Sequence, residues 1–293
     1  MIEVKRLVYG YQASEKPVLN GIDLTVRQGE YVALIGPNGS GKTTFVKHLN
    51  ALLVPLEGSV SVDGMDTRNP RDVPEIRRRV GMVFQDPDSQ IVGMTVEEDL
   101  AFGPGNLRLP PQQIRRLVDD TLAKLGLSGL AKRIPHTLSG GEKRLVAIAG
   151  VLIMKPRCLV LDEPTAYLDP AGRQRVLGII RELNNEGITV LHIAHDLQDI
   201  ADASRIVLMN GGTVLLDGAP GDILNEGEIL ETLNLAVPPI TELMRRLREQ
   251  GWSVATNVLT VQEALVEIMA SLPGKKGEAH LCAGGAVEAV SHV

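Results

Sequence analysis

Apolar and polar positions along this chain keep changing period, from the two-residue alternation of strands to the three-to-four-residue spacing of helices. Residues 2–8 read as a strand, and Ile22 to Val26 alternates cleanly as Ile-Asp-Leu-Thr-Val. Tyr31 to Ile35 is apolar at every position, the mark of a strand buried on both faces, and a helix is expected after it as far as Leu49. Ser59–Val62 and Val80–Phe84 are further strands, with a short charged helix over Glu75–Arg79 between them. From Thr95 to about Gly150 the pattern turns helical. Ile114, Leu117, Val118, Leu122 and Leu125 share one helix face, and Pro110-Pro111 punctuates the stretch. Strand signals return at 158–161, 189–193 and 206–209, with Arg173 to Asn184 helical between the first two and Thr213–Leu216 closing the series.

This alternation predicts an α/β fold: a mainly parallel core sheet covered by helices, an antiparallel β part near the start, and an inserted helical subdomain at about 87–156. The chain changes character after Asp217-Gly218-Ala219-Pro220. Ile240, Leu243, Met244 and Leu247 form one amphipathic pattern and Val261 to Met269 another, so the expected division is a main domain over 1–222 and a helical appendage over 223–293. The stretch from about Pro273 onward is small and polar enough to be expected disordered. No internal repeat is visible.

Composition narrows the classes. A net charge of −6 gives no basic footprint for nucleic acid, so no nucleic-acid partner is expected. The longest apolar run, Leu145 to Met154, is far short of the roughly 20 residues of a spanning helix, and Met1-Ile2-Glu3 opens no signal peptide, so a soluble chain is expected. The two cysteines, Cys158 and Cys282, are too far apart for a disulfide framework and suit a reducing cytoplasm; His280 and Cys282 are too sparse for a metal site. Arg77, Arg78 and Arg79 read as a solvated face.

The chemistry is concentrated in Gly36-Pro37-Asn38-Gly39-Ser40-Gly41-Lys42-Thr43, set between an apolar strand and a helix that opens near Thr44. The glycines let the backbone curl so that successive N–H groups and a helix N-terminus point at one anion. Lys42 adds a mobile cation and Thr43 a hydroxyl for Mg²⁺. This is a phosphate-binding loop for a nucleoside triphosphate. Asp162 and Glu163 end the strand over 158–161, where α/β proteins place groups facing a ligand. The first suits magnesium, the second a water attacking the terminal phosphate. Ser139-Gly140-Gly141 opens a helix that carries Leu145 and Ile148, which makes a second anion site. Tyr11 reads either as a packed aromatic or as a ring that stacks on a base. Gln85, after a strand, reads as a magnesium or water contact or as a turn residue, and His192 as a core or surface histidine.

Taken in order, the phosphate loop, Gln85 in Val83-Phe84-Gln85-Asp86, Leu138-Ser139-Gly140-Gly141-Glu142, Leu159-Val160-Leu161-Asp162-Glu163, Leu168-Asp169 and His195 in Ile193-Ala194-His195-Asp196 resemble an ABC-type ATPase, a P-loop NTPase, over residues 1 to about 220. The resemblance implies ATP and Mg²⁺ as ligands. It implies that Gln85 is the Q-loop residue, that Tyr11 stacks on adenine, that Thr44 joins the phosphate loop in binding the nucleotide, and that Glu163, His195 and Gln85 are catalytic. It also implies that Ser139, Gly140, Gly141 and Asp169 act on a nucleotide held by a second subunit, identical or paralogous, packed head to tail. Glu142 stands where the family has Gln. The text Asp86-Pro87-Asp88-Ser89-Gln90 and Glu97-Glu98-Asp99-Leu100-Ala101-Phe102-Gly103-Pro104-Gly105-Asn106 is similar to the ATPases of energy-coupling-factor importers, with Gly105 at a position expected to be acidic. That implies a peripheral protein at the cytoplasmic face of the cell membrane. It also implies a transmembrane coupling subunit docked on this segment, a membrane subunit that captures cobalt, nickel or a vitamin, and a C-terminal extension that helps pair the ATPases. A soluble non-transport ABC switch is the alternative; a P-loop kinase or GTPase would leave Ser139–Glu142 beside His195 unexplained.

Overall fold

The computed structural model describes residues 1–12 and 16–272, so the expected disorder after residue 273 and the pair His280 and Cys282 lie outside the described residues. Two compact units divide at Val237 and Pro238.

The first unit holds two sheets. Strands β1 (Ile2–Tyr9), β2 (Leu19–Val26), β4 (Glu57–Val62) and the short β5 (Met65–Asp66) form an antiparallel sheet in the order β2-β1-β4-β5. The pairing of β1 slips between Val4 and Leu7, where Arg6 takes φ +44. Such a bulge is why the alternation along β1 is imperfect. The second sheet runs β10-β9-β3-β8-β7-β6, from β3 (Tyr31–Ile35), β6 (Val80–Val83), β7 (Cys158–Asp162), β8 (Thr189–Ile193), β9 (Arg205–Asn210) and β10 (Thr213–Gly218). All its pairs are parallel except the β9–β10 hairpin at one edge. β3, β7 and β8 are buried at every position, which explains the apolar text of β3 and of Cys158–Leu161, while β8 also buries Thr189 and His192 and β7 ends on the buried Asp162.

Helix α1 (Lys42–Leu49) contributes Phe45, Val46 and Leu49 to a core shared by both sheets, with Ile2, Ile22, Val60, Leu34, Val160 and Ile193. Each fully buried aliphatic of this kind adds about 1.5–3 kcal/mol. The charged helix α2 (Val73–Arg79) buries only Ile76. The helical subdomain is three helices: α3 (Val96–Asn106), α4 (Pro111–Lys124) and α5 (Gly140–Leu152). A capping box of Thr95 and Glu98 starts α3, and Pro111 opens α4 at a position where a missing N–H costs nothing. Helix α6 (Pro170–Asn185) starts at the Asp169 cap and packs on β8, and α7 (Pro220–Asn225) and α8 (Gly227–Thr232) follow β10 within this unit. The second unit pairs α9 (Pro239–Glu249) with α10 (Val261–Ser271) around Met244, Val254, Val258 and Ala264.

His192 is a core residue. It is wholly buried on β8, Nδ1 lies 2.9 Å from the Tyr31 hydroxyl, Nε2 has no partner, and burial pushes its pKa down to about 3. Unfolded, an imidazole titrates near 6.5, so between those values the unfolded chain binds more protons. The stability from keeping His192 neutral is complete above about pH 6.5 and is lost as pH falls towards 3, by up to about 1.4 kcal/mol per pH unit. His192→Asn keeps a polar partner for Tyr31 but cannot titrate. Urea denaturation between pH 6 and 4 should therefore show a shallower fall in stability for His192→Asn than for the parent.

Candidate functional site

The phosphate loop leaves the sheet at Ile35. Gly36 sits at φ +145 with its α-carbon against β9, and a methyl group there would come within 2.1 Å of the Met209 carbonyl oxygen. Gly41, at φ +99, is the residue from which α1 starts. These two positions need glycine for different reasons, close approach in the first and a left-handed backbone in the second. Lys42 curls back over the loop, and its Nζ donates to the carbonyls of Gly36 at 2.7 Å and Pro37 at 3.0 Å. Burial pulls the Lys42 pKa down, and the charges of Glu163 and Asp162 pull it back up. Ser40 is buried beside it.

Asp162, the last residue of β7, is buried and accepts a hydrogen bond from the Thr43 hydroxyl at 3.2 Å. Burial pushes its carboxyl above the usual range, opposed by the Thr43 hydrogen bond and the Lys47 and Lys42 charges and reinforced by Glu163. Glu163 follows in a left-handed conformation, φ +50, which a non-glycine residue adopts at a cost of about 1 kcal/mol or more. Its Oε2 accepts from Gln85 Nε2 at 2.7 Å, and its Oε1 bonds His195 Nε2. Asn38, Gly39, Gly41, Lys42, Thr43, Thr44, Gln85, Glu163 and His195 line one cavity of about 600 Å³. Tyr11 stands beside α1, its hydroxyl 3.2 Å from Thr44 Oγ1, and meets Tyr9 edge to face at 5.2 Å.

Ser139, Gly140, Gly141 and Asp169 are not in that cavity. They line a separate one of about 480 Å³. Ser139 caps α5 through a reciprocal box in which Glu142 accepts from the Ser139 N–H and hydroxyl, each at 2.8 Å. The Ser139 backbone hydrogen bond holds the Glu142 carboxyl below its usual pKa. The Glu142 carboxylate thus takes the Ser139 N–H while the Ser139 hydroxyl oxygen takes the Glu142 N–H, which satisfies two free donors of the helix start.

Two arginines that the sequence did not single out hold these loops. Arg144, on α5, is buried and donates to the carbonyls of Phe84 and Gln85, both at 2.6 Å, so the segment that carries Gln85 is fixed to the helix that begins at Ser139. Lys143 reinforces this through Asp88 at 2.7 Å. Arg173, on α6, bonds Asp199 and reaches Asp196 at 2.6 Å, while Thr165 donates to Asp199 at 2.5 Å, so the turn after His195 is fixed to the turn after Glu163. The acid pair Asp196 and Asp199 beside His195 was the only sequence signal for Arg173, and Arg144 had none.

The nucleotide site also shows in relatives. The ABC transporter family model matches residues 19–166, over the phosphate loop, Gln85, the α5 cap and Glu163. The cobalt import ATP-binding protein CbiO of Syntrophus aciditrophicus is 54% identical over 92% of this chain and 96% of its own. The energy-coupling factor transporter ATP-binding protein EcfA1 of Caldanaerobacter subterraneus is 46% identical over 90% of this chain and 96% of its own. This chain is an ABC transporter ATPase of the energy-coupling-factor type. A solved ATP-binding cassette, dimeric and bound to ADP and phosphate after hydrolysis, is 28% identical with a TM-score of 0.68, covering 75% of this chain and 98% of its own. The ABC ATPase thus binds and hydrolyses ATP as part of a transporter and is not a free-standing switch. Among the described residues no helix is long and apolar enough to cross a membrane.

The buried Asp162 carboxylate weakens the ATPase as a folded protein, since burial favours its neutral form. Asp162→Asn keeps an acceptor for Thr43 without the charge. In nucleotide-free protein at neutral pH the variant should melt about 2–4 °C higher, the shift expected for about 1 kcal/mol. Its ATP hydrolysis, followed by phosphate release, should fall about a hundredfold, in the range for removing one group that stabilises charge at a reacting centre.

Proposed function

We propose that this ATPase works as one half of a head-to-tail pair at the cytoplasmic face of the cell membrane and powers uptake of cobalt. The observation that carries this reading is the split between the two cavities: Lys42, Thr43 and Glu163 line one, and the anion-binding start of α5 lines the other. One nucleotide bound in a single chain meets only the first. In the pair, each ATP lies between the phosphate loop of one copy and Ser139, Gly140, Gly141 and Asp169 of the next; that a solved cassette is dimeric with ADP and phosphate bound supports the pairing.

Within one site, Lys42 and the N–H groups of residues 36–43 bind the β- and γ-phosphates, and Tyr11 stacks on adenine. Thr43 and Asp162 offer a hydroxyl and a carboxylate 3.2 Å apart, and Gln85 a third oxygen. This all-oxygen set fits Mg²⁺, which takes one or two protein carboxylates and completes its shell with phosphates and water. When bound, Mg²⁺ would neutralise charge on the phosphates. Glu163 then holds the attacking water, and Gln85 and His195, which already share its carboxylate, keep it aimed.

The segment 85–106 forms part of the docking surface for a transmembrane coupling subunit that works with a separate cargo-capturing membrane subunit. Its exposed Val92, Met94 and Phe102 offer apolar contact, and the exposed Asp86 and Asp88 precede them in the chain. Cobalt is favoured over nickel or a vitamin by the name of the relative with 54% identity. Residues 1–222 carry the ATPase functions and residues 223–293 assist pairing, although 223–237 belong to the first compact unit.

Glu163→Gln keeps the shape of the site and removes the charge that polarises water. The variant should bind ATP with Mg²⁺, hydrolyse it at least about a hundredfold more slowly, and elute from size-exclusion chromatography as a pair only with ATP. A Glu163→Gln protein whose elution ignores ATP would count against the head-to-tail arrangement. In cells that also express the membrane subunits, the same variant should abolish uptake of labelled cobalt; uptake of labelled nickel in its place by the parent would reassign the cargo.

A further inference from the structure

The Tyr11 side chain stays 44% exposed, yet two contacts hold its ring. Its hydroxyl lies 3.2 Å from Thr44 Oγ1, which fixes the tip and leaves the plane of the ring free to turn. Tyr9 settles the plane. The two tyrosines stand two residues apart where β1 runs out, and their rings meet 5.2 Å apart at an angle of 87°. In such a T one ring covers at most one face of the other, so Tyr9 leaves a face of Tyr11 open.

His48 backs Tyr9 in turn. The two rings lie 4.6 Å apart at an angle of 73°. His48 is wholly buried on α1, and its Nδ1 lies 2.8 Å from the Thr44 carbonyl oxygen. Burial lowers its pKa, and a neutral imidazole carries one proton. A carbonyl oxygen only accepts, so that proton is on Nδ1, and Nε2 is left as a buried acceptor with no partner among the described residues. An apolar side chain would fill the same place without that cost. What the imidazole adds is a flat ring oriented by the Thr44 carbonyl. The contacts close a circuit: Thr44 to His48, His48 to Tyr9, Tyr9 to Tyr11, and Tyr11 back to Thr44, which follows Thr43 of the phosphate loop.

We propose that Tyr9 and His48 are positioning residues for the nucleotide base. They set the plane of Tyr11 relative to α1, so that a purine anchored by its phosphates meets the open face of the ring. This rests on the reading that Tyr11 stacks on adenine, and the experiment separates the two.

Binding of ADP and of inorganic pyrophosphate, each with Mg²⁺, is measured on the full chain by isothermal titration calorimetry. Both probes offer phosphates and only ADP carries a base. Tyr11→Ala should weaken ADP binding about tenfold, the usual loss of one base–aromatic stack, and spare pyrophosphate. Tyr9→Leu, which removes the ring and keeps apolar bulk, should weaken ADP binding about fivefold and leave pyrophosphate within about twofold. Tyr9→Phe should match the parent with both probes, since the ring and not the hydroxyl makes the contact. His48→Leu should lose about threefold with ADP alone. Because both residues act through Tyr11, neither change should weaken ADP binding further in a Tyr11→Ala background. Tyr9 is only partly buried, so its variants carry the test if His48→Leu fails to fold.

A Tyr9→Leu protein with parental ADP affinity overturns the positioning role. So does one that loses pyrophosphate to the same degree, or one whose loss adds to that of Tyr11→Ala, because either would show that the ring merely supports the fold. A folded His48→Leu protein with parental ADP affinity removes His48 from the stack. If Tyr11→Ala itself binds ADP as the parent does, the stacking reading falls and this inference with it, whereas a loss at Tyr11 without one at Tyr9 sinks only the positioning role.

Discussion

The Glu163 carboxylate is the point on which the site depends, because it is shared between Gln85 and His195. Those three residues come from ends of three different strands, and the order of the sheet makes their meeting possible. Reading across β3, β8, β7 and β6, the carboxyl edge presents the phosphate loop, then His195, then Asp162 and Glu163, then Gln85. Parallel neighbours all end on the same edge, so four segments far apart in sequence are delivered to one crevice. A hairpin order would send alternate segments to the opposite edge, and no choice of residues could repair that.

The crevice stores unfavourable free energy. Lys42, Asp162 and Arg144 are charged groups whose pKa values burial shifts towards neutrality. Glu163 adds a left-handed backbone. A stretch of purely apolar side chains would fold more stably. The charges persist because each has a hydrogen bond in place: Lys42 to loop carbonyls, Asp162 to Thr43, Arg144 to two carbonyls of the Gln85 segment. The large core beneath, shared by both sheets and α1, is what can carry that cost.

The same hydrogen bonds turn separate loops into a linked set. Arg144 joins the start of α5 to the Gln85 carbonyl, Gln85 joins Glu163, and Arg173 joins the turns that follow Glu163 and His195. A displacement at the cap of α5 therefore has a continuous route of hydrogen bonds to the carboxylate that faces the phosphate loop. The helical subdomain is thus hydrogen-bonded to the segment that carries Gln85 while standing outside the main cavity.

The sequence by itself determined the elements and most of the chemistry. Apolar runs such as Tyr31–Ile35 and Cys158–Leu161, bounded by turn signals, read as strands, and the left-handed Gly41 and the helix-opening Ser139 have local purposes, whereas Gly36 is needed because β9 lies against it. Local order also explains Glu142, since a capping box is closed within four residues. What only the tertiary structure decided is which of these pieces meet. Spacing along the chain could not say that Gln85 would reach Glu163, or that Ser139 would face a different cavity from Lys42, because strand order and subdomain placement set those distances. Arg144 was illegible for a related reason. It looks like an ordinary helix surface cation and is buried, since burial is a property of the packed chain and not of the residue.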